Sequence, residues 1–295
     1  MNKYPVYIIS KGRWEKPLTA NFFKKDGVDF KIAVEPQEYD AYCDSVGKKY
    51  VMKLDFADLG LGSYPARNAC WEDSIKRGAE RHWLFDDNIY RTRRYHKGFK
   101  IVCNSAKALN VIETFTDRYL NIGISGFNYS SFVVPASSDK KPFYLNTHVY
   151  SALLIKNNMP YRWRLKYNED VDLCLQVLDN GLCTVAFNAF TIDKVSTSQK
   201  MKGGNQTELY QGNAFEKKVL KVRSLEEIWP QYVKTIKRFG RPHHHVDWKK
   251  YFRNKLQRRL DLDWDKITEH TYEIKLMQNK EIEHRAVKDF YNRNK

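Results

Sequence analysis

Trp83-Leu84-Phe85-Asp86-Asp87-Asn88 joins three large apolar residues directly to two carboxylates and an amide. Such a run reads as a short strand buried on both faces, with its polar end emerging at the edge of a sheet. A carboxylate pair there is costly unless something cationic neutralises it, and hard oxygen ligands of this kind suit Mg²⁺ or Mn²⁺. Asp86 and Asp87 are therefore candidate metal ligands, and Asn88 could bind a metal weakly or hold a water. The plain alternative is a loop whose Asp-Asn pair only makes a turn. A second acidic cluster, Glu169-Asp170-Val171-Asp172, opens a helical pattern further on. It reads either as a distant base or as a helix cap, since the positive end of a helix favours anions in both roles.

The chain before this stretch alternates strand and helix. Val6 to Ser10 is a β-branched strand stopped by Lys11-Gly12-Arg13; a helical stretch begins near Pro17; Phe30 to Val34 is a second strand that delivers Glu35. Ser63-Tyr64-Pro65 starts a helix through Arg67, Asn68, Trp71 and Ile75 that ends near Gly78, with Pro early and Gly late. Strand, helix, strand, helix, strand predicts a parallel α/β sheet whose ligands sit outside the carboxyl ends of the strands, where Lys11, Glu35 and Asp86 would lie. Beyond it, Ile122 to Phe127, Ser131 to Pro135, Phe143 to Leu145 and Thr184 to Ile192 read as strands. Val149 to Lys156 reads as a short helix, Val171 to Leu178 as an apolar one, and Ser196 to Gln206 as a polar loop. From about Phe215 the pattern becomes basic, aromatic-rich and helical, which divides the chain into residues 1–214 and 215–295.

With 295 residues, 42% hydrophobic and 14% aromatic, the chain can bury a sizeable core. No apolar run approaches the ~18–20 residues needed to span a bilayer, so no membrane association is expected. Five cysteines without a C-x-x-C pair exclude a disulfide framework and a cysteine zinc site, and reduced thiols in a cytoplasmic protein are the simplest reading. The net charge of +16 is unevenly spread: residues 234–259 hold ten Lys or Arg against one acid, Asp247. A second basic run, Arg91, Arg93, Arg94, Lys97, Lys100 and Lys107, follows the aspartate pair. Such a field draws polyanions, nucleic acid first among them, although a merely soluble surface or an anionic-lipid site has the same composition.

Paired carboxylates at a sheet edge suit transfer from a nucleotide sugar. A divalent ion on Asp86 and Asp87 would stabilise the departing diphosphate, and Glu169 or Asp170 could take the proton of an acceptor hydroxyl. Ile8-Ile9-Ser10-Lys11-Gly12-Arg13, Val34-Glu35-Pro36, Ala66-Arg67-Asn68, Phe85-Asp86-Asp87-Asn88 and Asn168-Glu169-Asp170 follow one another in the order found in GT-A glycosyltransferases. Over residues 1 to about 205 the ensemble most resembles the phage TET-associated glycosyltransferases, which modify hydroxymethylated pyrimidines in DNA. The resemblance implies a GT-A, Rossmann-like, mostly parallel α/β domain followed by a basic helical C-terminal extension. It also implies a nucleotide-sugar pocket lined by Ser10, Lys11, Arg13 and Glu35 with Arg67, Asn68 and Asp86 nearby, a Mn²⁺ or Mg²⁺ ion on Asp86 and Asp87, and catalysis by Asp170 with Glu169. The substrates implied are a UDP-sugar and double-stranded DNA containing 5-hydroxymethylcytosine, handled by a monomer in the cytoplasm of an infected bacterial host. Arg91, Arg93, Arg94, Lys97, Lys249, Lys250, Arg253 and Arg258 would contact the DNA backbone.

Asn88 departs from a strict Asp-x-Asp, and a C-terminal metal histidine has no evident counterpart; His148, Asp193 and His243-His244-His245 are the candidates. Lys202-Gly203-Gly204-Asn205 could fold over the donor phosphates, or be only a flexible loop. Trp163 could stack on a base, or belong to the core. Rival functions are transfer to a polysaccharide or glycolipid, a nuclease using Asp86, Asp87 and Glu169, and a non-catalytic DNA-binding protein.

Overall fold

A computed structural model describes residues 2–96, 98–133, 141–195, 201–204, 214–238 and 240–269. The alternating elements anticipated from the sequence come first, with α2 and β3 added to them by the structure: β1 (Val6–Ile9), α1 (Leu18–Asp26), β2 (Lys31–Val34), α2 (Tyr39–Val46), β3 (Val51–Lys53), α3 (Tyr64–Lys76) and β4 (Arg81–Asp86). Then follow β5 (Ile89–His96), β6 (Phe99–Cys103), α4 (Ser105–Thr116), β7 (Ile122–Tyr129), β8 (Phe143–Leu145), β9 (Ala152–Lys156), α5 (Glu169–Asp179) and β10 (Cys183–Lys194). One ten-stranded sheet contains all of these strands, in the order β3-β2-β1-β4-β9-β7-β10-β5-β6 with β8 beside β10. It is mixed but mostly parallel: β1, β2, β3, β4, β6, β7 and β10 run one way, β5, β8 and β9 the other.

Trp83, Leu84 and Phe85 are fully buried because β4 lies inside the sheet with helices on both faces. Trp83 and Phe85 pack with Phe23 of α1 and Leu109 and Ile112 of α4. Leu84, pointing to the opposite face, joins Trp71 of α3 and Leu173 and Val177 of α5. Each such side chain contributes about 1.5–3 kcal/mol by leaving water, so β4 and the aspartates at its end are held firmly.

Several readings need correction. The segment expected to be a helix from Val149 is strand β9; Ala152, Leu153, Leu154 and Ile155 are buried on both faces between β4 and β7, and a short apolar run does not by itself distinguish helix from strand. Residues 131–133 form a turn, not a strand, while Pro135 and residues 196–200 and 205–206 lie outside the described residues. Of the basic run after Asn88, Arg91, Arg93, Arg94 and Lys100 lie on the paired strands β5 and β6, and Lys107 lies in α4. Among its described residues the C-terminal extension is only partly helical. It contains α6 (Ala214–Ile228), the hairpin β11 (Val233–Arg238) and β12 (Arg241–Val246), and a short α7 (Trp264–Glu269). Val233, Thr235, Ile236 and Val246 supply the β-branched residues, and Gly240 at φ 72° supplies the left-handed turn position. The extension packs on α5, where Leu225, Trp229, Val233, Val246 and Tyr251 cover Val171, Leu175 and Leu178.

Candidate active site

β1, β2 and β4 are adjacent and parallel, with Ile9 level with both Ala33 and Asp86. Their carboxyl ends therefore bring Ser10, Glu35, Asp86 and Asp87 to one edge, as the alternation in the sequence demanded. Helix α5 points its first turn at the same edge. Asn168 takes a left-handed φ of 56° to start the helix, and Glu169 and Asp170 follow.

Arg67, from α3, is the hub. Its guanidinium is buried and donates to Asp86 Oδ1 at 3.0 Å, reaches Glu169 at 3.4 Å and Asp170 at 3.6 Å, and lies 4.7 Å from the centre of the Trp163 ring. The Ser63 hydroxyl donates to Glu169 at 2.9 Å and accepts from Arg67 Nε at 3.1 Å. Burial works against ionisation of Asp86, but Lys194 and Arg67 win and hold it well below the usual carboxylate range. Asp170 shows the opposite balance. Burial pushes it up to about 7, with Glu169 and Asp86 adding repulsion that Arg67 only partly offsets. Two carboxylates at one site are thus driven apart, one fixed as an anion and one poised to exchange a proton near neutrality.

Asp87 faces a different set of partners. The Arg13 guanidinium pairs with its Oδ1, and the Ser10 hydroxyl donates to Oδ2 at 2.7 Å. Burial lifts its pKa above the ordinary value against the pull of Arg13 and Ser10. Tyr42, in α2, accepts from the Arg13 backbone N–H at 3.0 Å and shares a 2.5 Å hydrogen bond with Ser10. Lys11 bridges Glu35 at 3.0 Å and Asp58 at 2.8 Å. The Gly203-Gly204 segment closes over this turn: Gly204 N–H donates to Lys11 O at 2.6 Å, while Arg13 donates to Lys202 O and Gly203 O, both at 3.2 Å. A Cβ on Gly203 would collide with the Gly12 carbonyl, and one on Gly204 would lie 2.5 Å from Arg13, so the strap needs both glycines.

A model of the TET-associated glycosyltransferases matches residues 4–204, a span that holds every one of these side chains. The chain belongs to the TET-associated glycosyltransferase family. No curated protein matches the sequence. Among solved structures, a protein of Desulfovibrio desulfuricans described as a nucleotide-diphospho-sugar transferase aligns at 10% identity and a TM-score of 0.35, covering 63% of this chain and 80% of its own. A mannose-1-phosphate geranyltransferase of Thermus thermophilus aligns at 12% identity and a TM-score of 0.32, covering 78% of this chain and 68% of its own. Likenesses of that size carry no weight, and the fold of this glycosyltransferase rests on the sheet described above.

The residue that sequence reasoning missed is Lys194. Burial disfavours its charge, but Asp86, with Tyr129 and Asp170 behind it, more than restores it and raises the pKa. Its ammonium donates to Asp86 Oδ2 at 2.5 Å and to Ser151 Oγ at 2.6 Å. Extending the strand read from Thr184 to Ile192 by two residues would have carried Lys194 to the sheet edge, but nothing in the sequence says which way it turns. Asn88 is also not the extra ligand that its position suggested. It is buried, its side-chain amide N–H donates to Val195 O at 2.7 Å and its backbone carbonyl accepts from Val195 N–H at 2.9 Å, so it clamps the end of β10, while its Oδ1 is buried without a hydrogen-bond partner among the described residues.

A divalent ion held by Asp86 and Asp87 does not fit this donor set. Asp86 already accepts from Arg67, Lys194 and Ser151, and Asp87 from Arg13 and Ser10, so a divalent ion on this pair would meet three cationic side chains competing for the same carboxylates. Among the described residues no group of three metal-binding side chains forms. Asp193 pairs with Arg93 at 2.7 Å, His148 packs against Tyr150 and Trp248, and His243, His244 and His245 lie on β12.

Asn68 and Trp163 serve the scaffold: the Asn68 side chain bonds both backbone groups of Trp163, whose ring is buried beneath Arg67. Asp172, in the same acidic cluster as Asp170, is fully buried on Arg164 and the Trp229 indole N–H. Of the expected DNA contacts, Arg93 is tied to Asp193, Arg94 packs on Phe190 and Arg91 on Tyr90. Lys249, Lys250, Arg253 and Arg258 are exposed, although Lys250 donates to Gln231 O at 2.6 Å and Arg258 packs on Trp264, and Lys97 lies outside the described residues. No helix among the described residues is long and apolar enough to cross a membrane.

Proposed function

We propose that this glycosyltransferase, read as a GT-A enzyme, moves a sugar from a UDP-sugar to the hydroxymethyl oxygen of 5-hydroxymethylcytosine in double-stranded phage DNA, within the infected cell. The observation that carries the reading is the split between two carboxylates bound to one buried arginine. Asp86 is fixed as an anion by Arg67 and Lys194, while Asp170, at about 7, is suited to accept a proton from the attacking hydroxyl. Arg67 positions Asp170; Glu169, held by Ser63 and Arg67, sustains its raised pKa. Ser10, Lys11, Arg13 and Glu35 surround the turn after β1 and suit the nucleotide, with the Gly203-Gly204 segment above them.

The acceptor reading is supported by the family and by the exposed basic residues of the extension, Lys249, Lys250, Arg253 and Arg258, which suit phosphate contacts without sequence readout. In B-form DNA the hydroxymethyl group projects into the major groove, so transfer need not require base flipping. These steps are assigned to side chains alone, because Arg67, Lys194 and Arg13 already supply positive charge at the aspartate pair where Mn²⁺ or Mg²⁺ was expected. The test is nucleoside mass spectrometry of 5-hydroxymethylcytosine duplex DNA after incubation with the protein and a panel of nucleotide sugars. A sugar mass on the base that D170N abolishes supports the reading, and donor hydrolysis with unmodified DNA moves the acceptor elsewhere.

A further inference from the structure

We propose that Lys194 occupies the place of a divalent ion in this site, its ammonium receiving the donor diphosphate and the charge that develops there as the glycosidic bond breaks. The proposal rests on the nucleotide-sugar reading above and deepens it. Lys194 sits on the very carboxylate the sequence offered to a metal, 2.5 Å from Asp86 Oδ2 and 2.6 Å from Ser151 Oγ. An ammonium has three N–H donors. Those two bonds leave one N–H, whose other neighbour is the Tyr129 ring face with its centre 5.7 Å away, a weak contact that a phosphate oxygen can replace, and the side chain keeps 23% of its surface exposed.

The lysine is delivered there by the fold. The β10–β5 register slips between Asp193 and Lys194, and such an irregularity re-aims the side chains on either side of it. Asp193 turns to Arg93, whereas Lys194 turns to Asp86. One residue later, Asn88 grips both backbone groups of Val195 and pins the end of the strand. Within Asp86-Asp87-Asn88 both carboxylates are engaged by cationic side chains, Asp86 by Lys194 and Asp87 by Arg13, and the Asn88 Nδ2 and backbone carbonyl hold the strand that carries Lys194. An ion on Asp86 would have to displace the Lys194 ammonium, whereas an ammonium bridging Asp86 and a phosphate oxygen supplies positive charge at the same point.

In the step this implies, the acceptor hydroxyl oxygen bonds to the anomeric carbon and its proton passes to a carboxylate oxygen of Asp170. The bond from the anomeric carbon to the diphosphate oxygen breaks, its electron pair stays on the diphosphate, and Lys194 meets the added negative charge.

Isothermal titration of UDP into the full chain, in EDTA and in Mn²⁺, tests this with wild type, K194M and K194R. The expected result is wild-type binding in EDTA within about three-fold of that in Mn²⁺. K194M should bind about ten-fold or more weakly in both buffers, as for a lost charged hydrogen bond, with K194R recovering most of the affinity. Wild-type binding that needs Mn²⁺ by about ten-fold, or K194M that gains Mn²⁺-dependent binding, would overturn the proposal while leaving the donor reading intact. Failure of UDP, ADP, GDP, CDP and TDP alike to bind in either buffer would overturn both. The wild-type comparison needs no variant, so a poorly folded K194M leaves it decisive.

Discussion

Replacing Arg67 by methionine keeps the volume of a buried side chain but removes the charge shared by Asp86, Glu169 and Asp170. Breaking a buried pair from one side costs about 3–5 kcal/mol, because the remaining charge stays in a medium that solvates it poorly. At a few degrees per kcal/mol, that is a fall in Tm on the order of 10 °C. The deficit should also depend on pH in a fixed direction. Arg67 pulls the Asp170 pKa down towards its ordinary value, so without it the folded-state pKa climbs above about 7 while the unfolded value stays near 3.8. Between those values the folded protein holds a proton that the unfolded chain has released, and stability then falls as pH rises. Wild type also keeps this proton up to about 7, so urea denaturation of R67M and wild type should show a nearly level gap between pH 5 and 6.5 that widens by pH 8. A gap below about 1 kcal/mol, or one that is the same at pH 5 and pH 8, would refute the charge network.

Three further outcomes are expected. D170N should lower kcat by about 10²–10⁴ with its Tm maintained, and wild-type kcat should rise with pH through about 7, where Asp170 loses its proton; a flat profile measured by initial rates would argue against Asp170 as base. G203A should raise KM for the donor more than it alters kcat, because the added methyl forces the strap off Gly12 and Arg13, and steady-state kinetics at varied donor concentration reads this directly. Changing Lys249, Lys250, Arg253 and Arg258 together to Ala should weaken DNA binding and lower the log–log salt slope by about three to four, while UDP titrations stay unchanged; an unaltered slope would remove the extension from the DNA interface.

The sequence made the sheet edge legible because a short buried strand followed by carboxylates has few other places to go. Ser10, Glu35, Asp86 and Asp87 come together through three adjacent parallel strands, and strand–helix alternation suffices to predict that. Strand β9 was misread because four apolar residues satisfy a buried helix and a central strand alike. The hairpin β11–β12 was hidden by its lysines and arginines, which suggest a basic helix until the alternation of Val233, Thr235 and the strand-pairing partner Val246 is seen. Lys194 was hidden for a deeper reason. Its position depends on a register slip and on Asn88 gripping Val195, and neither a slip nor a side-chain clamp leaves a periodic signal. The same pairing explains the metal expectation: two adjacent aspartates advertise a need for positive charge, but not whether an ion or a lysine meets it.

The most direct test of the central claim remains the transfer itself, followed by mass spectrometry of nucleosides from 5-hydroxymethylcytosine duplex DNA incubated with the protein and nucleotide sugars. The account predicts a pentose or hexose added to the modified cytosine, present with wild type and absent with D170N. Unmodified cytosines alongside donor hydrolysis that still requires Asp170 would contradict it, leaving a glycosyltransferase whose acceptor is not DNA.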